Sequence, residues 1–520
     1  MKKQGVLIAA VILGITGLSV SYLAGGRSVL ASRAVPAKKA TAALSANASQ
    51  VPVDVQQQNP TQTDWLNFGW QTFVALDWPA LSPNSGGAMG QPDPSSSPGA
   101  TSSNGAFVPA VWNTFRDVST VMLANGVDPG STYSQPVKVA GSCQALGGGN
   151  PIAPGFEPLY INNASFSQTS LQRDYVNQAS TGPLVDQKGW YTLEEILVDP
   201  SEYAYIQGNG YYLGQNQVNA YKAKGQLVGF PNDGQGMNLP AWAQYGALEI
   251  KATWRVLDAS DKAVTSRYYT QWGYFLQADG TTCEGPVLFG LIGLHILRLT
   301  PTTGGTWFWA SFEQVDNTMP PSGIPATLAA ANTPNGACTS QYNVTPTAIQ
   351  GNIPWTGSSA PNDICQVTLI PPDVQAVNQV WMKQLQGTVW QYYQMVNTLN
   401  PCATGDSSCY SFQPINDPKN TINLNAYANT AIESYFQTTG TGSSQTTTTC
   451  MSCHGFASGN GAPSPLTGTN QIFTFVLLNA YMPSPSAAAG REKLLRLFRN
   501  PPPVKLAAPV KANGGTKSKN

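Results

Sequence analysis

Cys450-Met451-Ser452-Cys453-His454 sets two thiols three positions apart, with an imidazole directly behind the second. That order of groups suits one chemistry closely. The thiols add to the two vinyl groups of a haem as thioethers, and the imidazole ligates the iron from the proximal side. The chain holds 8 Cys and 2 His, so chance would place such a run in roughly one shuffled chain in 2,000, which makes coincidence a poor explanation. Two other chemistries use a C-x-x-C pair. Zinc needs a second ligand pair at suitable spacing, but His295 stands alone and the other cysteines are scattered. A thioredoxin-like redox pair wants a βαβ context, whereas the threonines from Thr446 to Thr449 read as a loop. The expectation is one covalently attached haem c, bound through Cys450, Cys453 and His454.

The sixth ligand decides what such an iron does. A thioether from Met482 raises the potential, a second imidazole from His295 lowers it, and an open position admits peroxide or another small molecule. Met482 follows His454 at a distance that lets the chain wrap the haem edge, and Pro483 stiffens the approach. Met482 is therefore the first choice for cofactor and metal binding, with a packing methionine as the plainer reading. His295 is the alternative distal ligand. It sits in a continuous apolar run and shares a strand face with Leu291 and Leu297 if the alternation holds. Its plainer reading is a buried imidazole bonded to a carbonyl or carboxylate. Met319, before Pro320 and Pro321, is a third and weaker choice, and Met451 lies between the anchoring thiols.

No catalytic residues stand out. Glu194 and Glu195 with Asp199, or Glu313 with Asp316, are possible acid/base pairs, but they have no histidine, phosphate loop or nucleophile signature beside them in sequence, and read as a solvated face or a helix end. Gly147-Gly148-Gly149 lacks the lysine, strand and helix of a phosphate loop. The 13 Trp and 21 Tyr are core and stacking residues first, some of them candidates for assisting electron transfer near the iron.

Met1-Lys2-Lys3 and the uncharged, apolar stretch from Gly5 to Gly26 read as a secretory signal, with small-residue cleavage sites at Val29-Leu30-Ala31 and Ser32-Arg33-Ala34. Left uncut, the same run is long enough to anchor the chain in a membrane. Export puts the protein in the periplasm or outside the cell, where Cys143, Cys283, Cys338, Cys365, Cys402 and Cys409 are free to form three disulfides. Cys402 with Cys409 is the local pairing, because a short turn-forming loop separates them. Charged residues make up only 10% of the chain, against about 25% in ordinary soluble domains. A surface so poor in charge loses little to titration and suits an acidic habitat. The net charge of +0 hides segregation: residues 41–490 carry 13 basic and 26 acidic side chains, and 491–520 carry 8 basic and 1 acidic. The acidic body disfavours nucleic acid. The basic tail reads as solvated and disordered, or as a dock for a redox partner or an anionic membrane.

The chain divides by composition into a signal peptide or N-terminal anchor over 1–34, a flexible tether over 35–61, a large α+β domain over 62–420, a haem domain over 421–500, and the basic tail over 501–520. Trp65, Phe68, Phe73 and Leu76 share a helical face, with Trp70 off its edge, and the helix ends before Asp77-Trp78-Pro79. Val111–Met122 and Tyr203–Tyr221 allow further helices. Ala247–Leu257, Arg267–Leu276, Val287–Leu299 and Trp307–Phe312 read as four strands parted by turns, hence a mainly antiparallel β-sheet with flanking helices. Val374–Leu399 carries a long helical pattern through Trp381, Leu385, Val389 and Tyr393. Leu424–Phe436 and Ala487–Phe498 read as helices around the pentad.

The C-terminal part resembles the class I cytochromes c in its pentad, its later Met482-Pro483 and its closing helix. The resemblance implies a small all-α cytochrome c-like haem module at the C-terminus, with a methionine downstream of the pentad as sixth ligand. The body, including Trp70-Gln71-Thr72-Phe73-Val74-Ala75-Leu76 and Gly293-Leu294-His295-Ile296, looks like large secreted bacterial proteins grouped as the cytochrome c family. That grouping implies haem and electron transfer with no set reaction. The function expected is an exported monohaem electron carrier serving a redox partner protein, more a carrier than a catalyst. The alternative is a haem-dependent oxidoreductase or peroxidase-like enzyme whose large domain binds a substrate, and a third reading is a binding or structural protein.

Overall fold

Thr61 starts the first long helix, α1 (Gln62–Leu76), with a reciprocal cap: its hydroxyl accepts from Asp64 N at 3.3 Å and its own N–H donates to Asp64 Oδ2 at 2.8 Å. The helix stops at Asp77, two residues before a proline, as the sequence predicts. The protein was analysed as a computed structural model that describes residues 44, 47–85, 88–133, 140–146, 148–163, 175–178, 182–224, 229–303, 307–349, 351–401, 409–411, 421–423, 428–437, 454, 457 and 474–482. All lie within one compact unit, Thr41–Asn520.

The centre is an eight-stranded sheet: β1 (Arg116–Asp117), β2 (Leu159–Asn162), β3 (Leu193–Val198), β4 (Leu248–Leu257), β5 (Thr270–Leu276), β6 (Cys283–Arg298), β7 (Phe308–Gln314) and β8 (Tyr393–Leu399). Strand β6 is the spine. It pairs along one side with β4, and along the other with β5 through its first half and β7 through its second. Beyond these lie β3 and β1 on one flank, β2 beside β5, and β8 beside β7. Only β2 with β5 is parallel, so the fold is α+β with a mainly antiparallel sheet.

One sheet face is apolar. Ile250, Ala252, Trp254, Leu294, Ile296, Phe308 and Phe312 point into a core closed by α1 and by α4 (Pro372–Gln384). Phe73 stacks on Phe312 at 4.1 Å and Trp70 on Trp381 at 6.0 Å, so Trp70 is buried rather than off the edge. The other face is covered by α2 (Pro200–Gly208), α3 (Gly214–Lys224) and residues 428–437 and 474–482.

Several expectations are corrected. The helical pattern over Val374–Leu399 stops at Gln384, with Leu385 as its cap; Gly387, at φ +89, takes the left-handed position in the turn that follows, and the aromatic and β-branched residues beyond form β8. Val111–Met122 breaks into a 3₁₀ turn, a strand residue pair and one helical turn. Tyr203–Tyr221 is two helices parted at Gly210. A bulge in β6 leaves Ile292 unpaired between Leu291 and Gly293, so Leu291 turns to the apolar face while His295 stays with Leu297 on the other. From Ala428 the expected helix is a turn followed by a 3₁₀ segment, Ser434–Phe436. Residues 1–43, Cys402, Ala487–Phe498 and the tail lie outside the described residues.

Two disulfides, Cys143–Cys283 and Cys338–Cys365, use four of the six cysteines expected to pair. They fit an oxidising compartment. Among the described residues no helix is long and apolar enough to cross a membrane.

Candidate functional site

Of the pentad, His454 is described; Cys450 and Cys453 lie outside the described residues. Its half-buried imidazole meets two rings edge to face: Trp309 at 4.4 Å between centroids, planes 84° apart, and Phe475 at 4.9 Å and 62°. Strand alternation fixes Trp309. It lies opposite Leu297 on one side and Leu399 on the other, and so points away from the apolar core that holds its neighbour Phe308. The His295 ring lies 6.3 Å from the same indole. Both histidines of the chain thus flank one tryptophan, although neither sequence spacing nor periodicity relates them.

This face of the sheet is lined with ionisable groups. Glu194, Glu249, Lys251, His295 and Glu313 alternate with apolar residues on four adjacent strands. Residues 428–437 dock on them. Thr430 donates to Glu313 Oε2 through its N–H (3.0 Å) and hydroxyl (2.7 Å), and Asn429 Nδ2 donates to Phe312 O (2.7 Å) and Ser311 Oγ (3.1 Å). Glu433 Oε1 approaches His295 Nε2 at 3.1 Å, an ion-pair distance, off the line of a hydrogen bond. Lys251 pairs with Glu194 at 2.9 Å. Further on, the Thr474 hydroxyl donates to Glu249, Gln217 Nε2 donates to Leu477 O (2.9 Å), and Gly214 N donates to Tyr481 O (2.8 Å). Gly293 is needed here: a Cβ would come within 3.0 Å of Ile432 and 3.1 Å of Ala431.

Burial dominates the electrostatics. It raises the carboxyls of Glu194 and Glu313, although Lys251 and Thr430 respectively oppose it. Glu249 is pushed up to about 7 by burial, with Thr474 opposing, and Glu202 beside it is raised well above its ordinary value by burial first, with Glu249 and Asp199 adding like charge. Glu433 differs: burial raises it, but His295 and Lys251 together outweigh that and hold it below its ordinary value.

By sequence Glu194, Glu195 and Glu313 belong on a solvated face or at a helix end, without histidine company. They are buried, and His295 and Glu433 act electrostatically on Glu194. The C-terminal segment and the helices cover what alternation alone presents as a water-facing stripe. Asp199 does take a helix-end role, capping α2 by accepting from Ser201 N and Glu202 N. Met482 is buried at the end of the 474–482 segment, and Met319 is exposed. Trp309, Phe475 and Glu433 were not singled out in the sequence; the alternation Trp307-Phe308-Trp309 was the only signal for the first. Among the described residues no group of three or more His, Cys, Asp or Glu is arranged to hold a metal ion.

No protein-family model matches the chain, and comparison with curated proteins and with solved structures gives no match. The functional reading therefore rests on the residues themselves.

Proposed function

We propose that this protein is an exported c-type cytochrome that carries one haem on Cys450, Cys453 and His454 and exchanges electrons with a redox partner protein. The observation that carries the reading is the pentad, with its imidazole held between Trp309 and Phe475 against a folded body. Two features of the surroundings suit the group: the imidazole sits against the apolar rings of Trp309 and Phe475, and the buried Trp309 N–H has no hydrogen-bond partner among the described residues. When bound, haem supplies an iron that cycles between Fe(II) and Fe(III). The chain's part is to fix the imidazole, keep water from it and present an edge to a partner. The apolar N-terminal run and the two disulfides support a periplasmic or secreted location, with the N-terminal run or the basic tail as a means of membrane association.

Met482 remains the proposed sixth ligand, with His295 as the alternative. Engagement of His295 by Glu433 supports the plainer role for the histidine. The same His295–Glu433 pair, with His295 flanking the tryptophan that His454 meets, favours a second reading as a haem oxidoreductase, because it is an acid and a base within reach of each other. Spectra of protein matured in a competent periplasm separate these readings. A pyridine haemochrome of the c type is expected, together with a far-red thioether band that disappears in Met482→Ala. High-spin iron that binds cyanide would favour the enzyme, and absence of any added tetrapyrrole by mass spectrometry would end both.

A further inference from the structure

Trp309 belongs to the sheet, more than a hundred residues before the pentad in sequence, yet its ring is in contact with the imidazole that would hold the iron. It is almost fully buried, with 2% of its surface exposed. Its indole N–H is a donor only, and it has no hydrogen-bond partner among the described residues. Leaving such a donor unmet inside a protein costs about 1–3 kcal/mol. Of the carboxylates on this face, Glu313 accepts from Thr430, Glu433 accepts from Asn429 N and pairs with His295, and Glu249 accepts from Thr474; Glu194 pairs with Lys251 through Oε2, while its Oε1, like the Trp309 N–H, has no hydrogen-bond partner among the described residues. Trp65, Trp242 and Trp390 also bury an unmet indole N–H, but those rings lie in or against the aromatic core of the opposite face. What sets Trp309 apart is the His454 ring against it.

A haem carries two carboxylates at one edge, and burying them requires donors from the protein. Resting on the haem reading above, we propose that Trp309 is a haem-binding residue supplied by the body: its ring fixes the orientation of the His454 imidazole, and its N–H donates a hydrogen bond to a haem carboxylate. The strand pins the indole between Leu297 and Leu399, so the donor is in place before the haem segment docks. Preorganised donors of this kind hold an anion without reorganising when it arrives.

The test uses full-length protein matured in a periplasm that attaches haem, with Trp309→Phe and Trp309→Ala compared with the wild type. The haemochrome is measured first. If the wild type carries no covalent haem, the functional reading itself falls. With haem in place, Trp309→Phe keeps an aromatic ring and removes only the donor. The carboxylate then loses a partner and its negative charge favours ferric iron. The reduction equilibrium should move towards Fe(III) by about threefold, which is ~28 mV at 59 mV per tenfold for one electron. The carboxylate bending bands in the resonance Raman spectrum should shift with it. Trp309→Ala removes the ring as well and should also change the ferric electron paramagnetic resonance g-values, which report imidazole orientation. If Trp309→Ala fails to fold, Trp309→Phe alone decides. A haem-loaded Trp309→Phe protein whose potential and carboxylate bands match the wild type overturns the inference.

Discussion

The two faces of the sheet are built on opposite principles. Under α1 and α4 the face is a stack of aromatic and branched side chains, closed mainly by apolar burial, with few polar contacts: Asn378 bridges Trp70 Nε1 and Met395 O, and Glu195 and Arg298 are buried with partners of their own. Under the C-terminal segment the face carries Glu194, Glu249, Lys251, His295 and Glu313, and it is closed largely by hydrogen bonds and ion pairs. Apolar burial is worth roughly 25 cal/mol per Å² and tolerates sliding. A buried polar contact contributes little net stability but is costly to mispair, so it sets position. The apolar face holds the body together. The polar face determines where residues 428–437 and 474–482 lie, and it carries Trp309 against the His454 ring, so the proposed function depends on it.

Adjacent residues of one strand can test that contrast. Phe312→Ala should cost about 3–5 kcal/mol, because it empties a stacked site in the core. Urea unfolding that shows less than 1 kcal/mol on the order of a surface change would mean that the apolar face is not where stability resides.

Glu195, buried and accepting from Trp254 Nε1 at 2.8 Å, is pushed up to about 8 by burial. Between about pH 4.5 and about pH 8 the folded chain therefore keeps a proton that the unfolded chain has released, and stability falls as pH rises through that window. Glu195→Gln mimics the protonated form. It should gain about 3 kcal/mol at pH 7 and nothing near pH 4. Asp199 and Glu249, each raised to about 7 by burial, act with the same sign. The wild type should accordingly be most stable in mild acid, in keeping with a charge-poor surface suited to an acidic habitat. Unfolding midpoints that rise steadily from pH 5 to pH 8 would contradict this.

On the polar face, Gly293→Val sets a branched side chain against Ile432 and Ala431. It should cost about 1–3 kcal/mol and, more tellingly, open the C-terminal segment to limited proteolysis while the body stays folded. Equal loss of both would show that the faces do not act separately. The smallest effect is expected for Ser311→Ala, which removes one acceptor for Asn429: about 1 kcal/mol, measured by the same denaturant titration.

Much of the scaffold is legible along the chain. The helical face of Trp65, Phe68, Phe73 and Leu76, ending before Pro79, gives α1, and the strand-like runs Ala247–Leu257 and Trp307–Phe312 give β4 and β7 to within a few residues, because helical periodicity, a proline stop and a period of two are local properties. Local pattern fails where a distant neighbour decides. Tyr393–Leu399 has a helical spacing that loses to pairing with β7, and the Ile292 bulge, which cancels the expected partnership of His295 with Leu291, is set by register against β4. Glu194 and Glu313 look solvated in sequence because the segment that covers them arrives from far down the chain.

The sequence by itself determined the chemistry on offer: two thiols and an imidazole in a C-x-x-C-H run, an uncharged apolar run near the N-terminus, a strand-rich middle and cysteines able to pair. These follow from bonded order and short-range sterics. Only the tertiary structure decided that His454 rests on Trp309, that His295 faces Glu433, and that an alternating stripe of acids lies inside rather than in water. Those outcomes depend on which surfaces meet across hundreds of residues, where burial and pairing outweigh local preference.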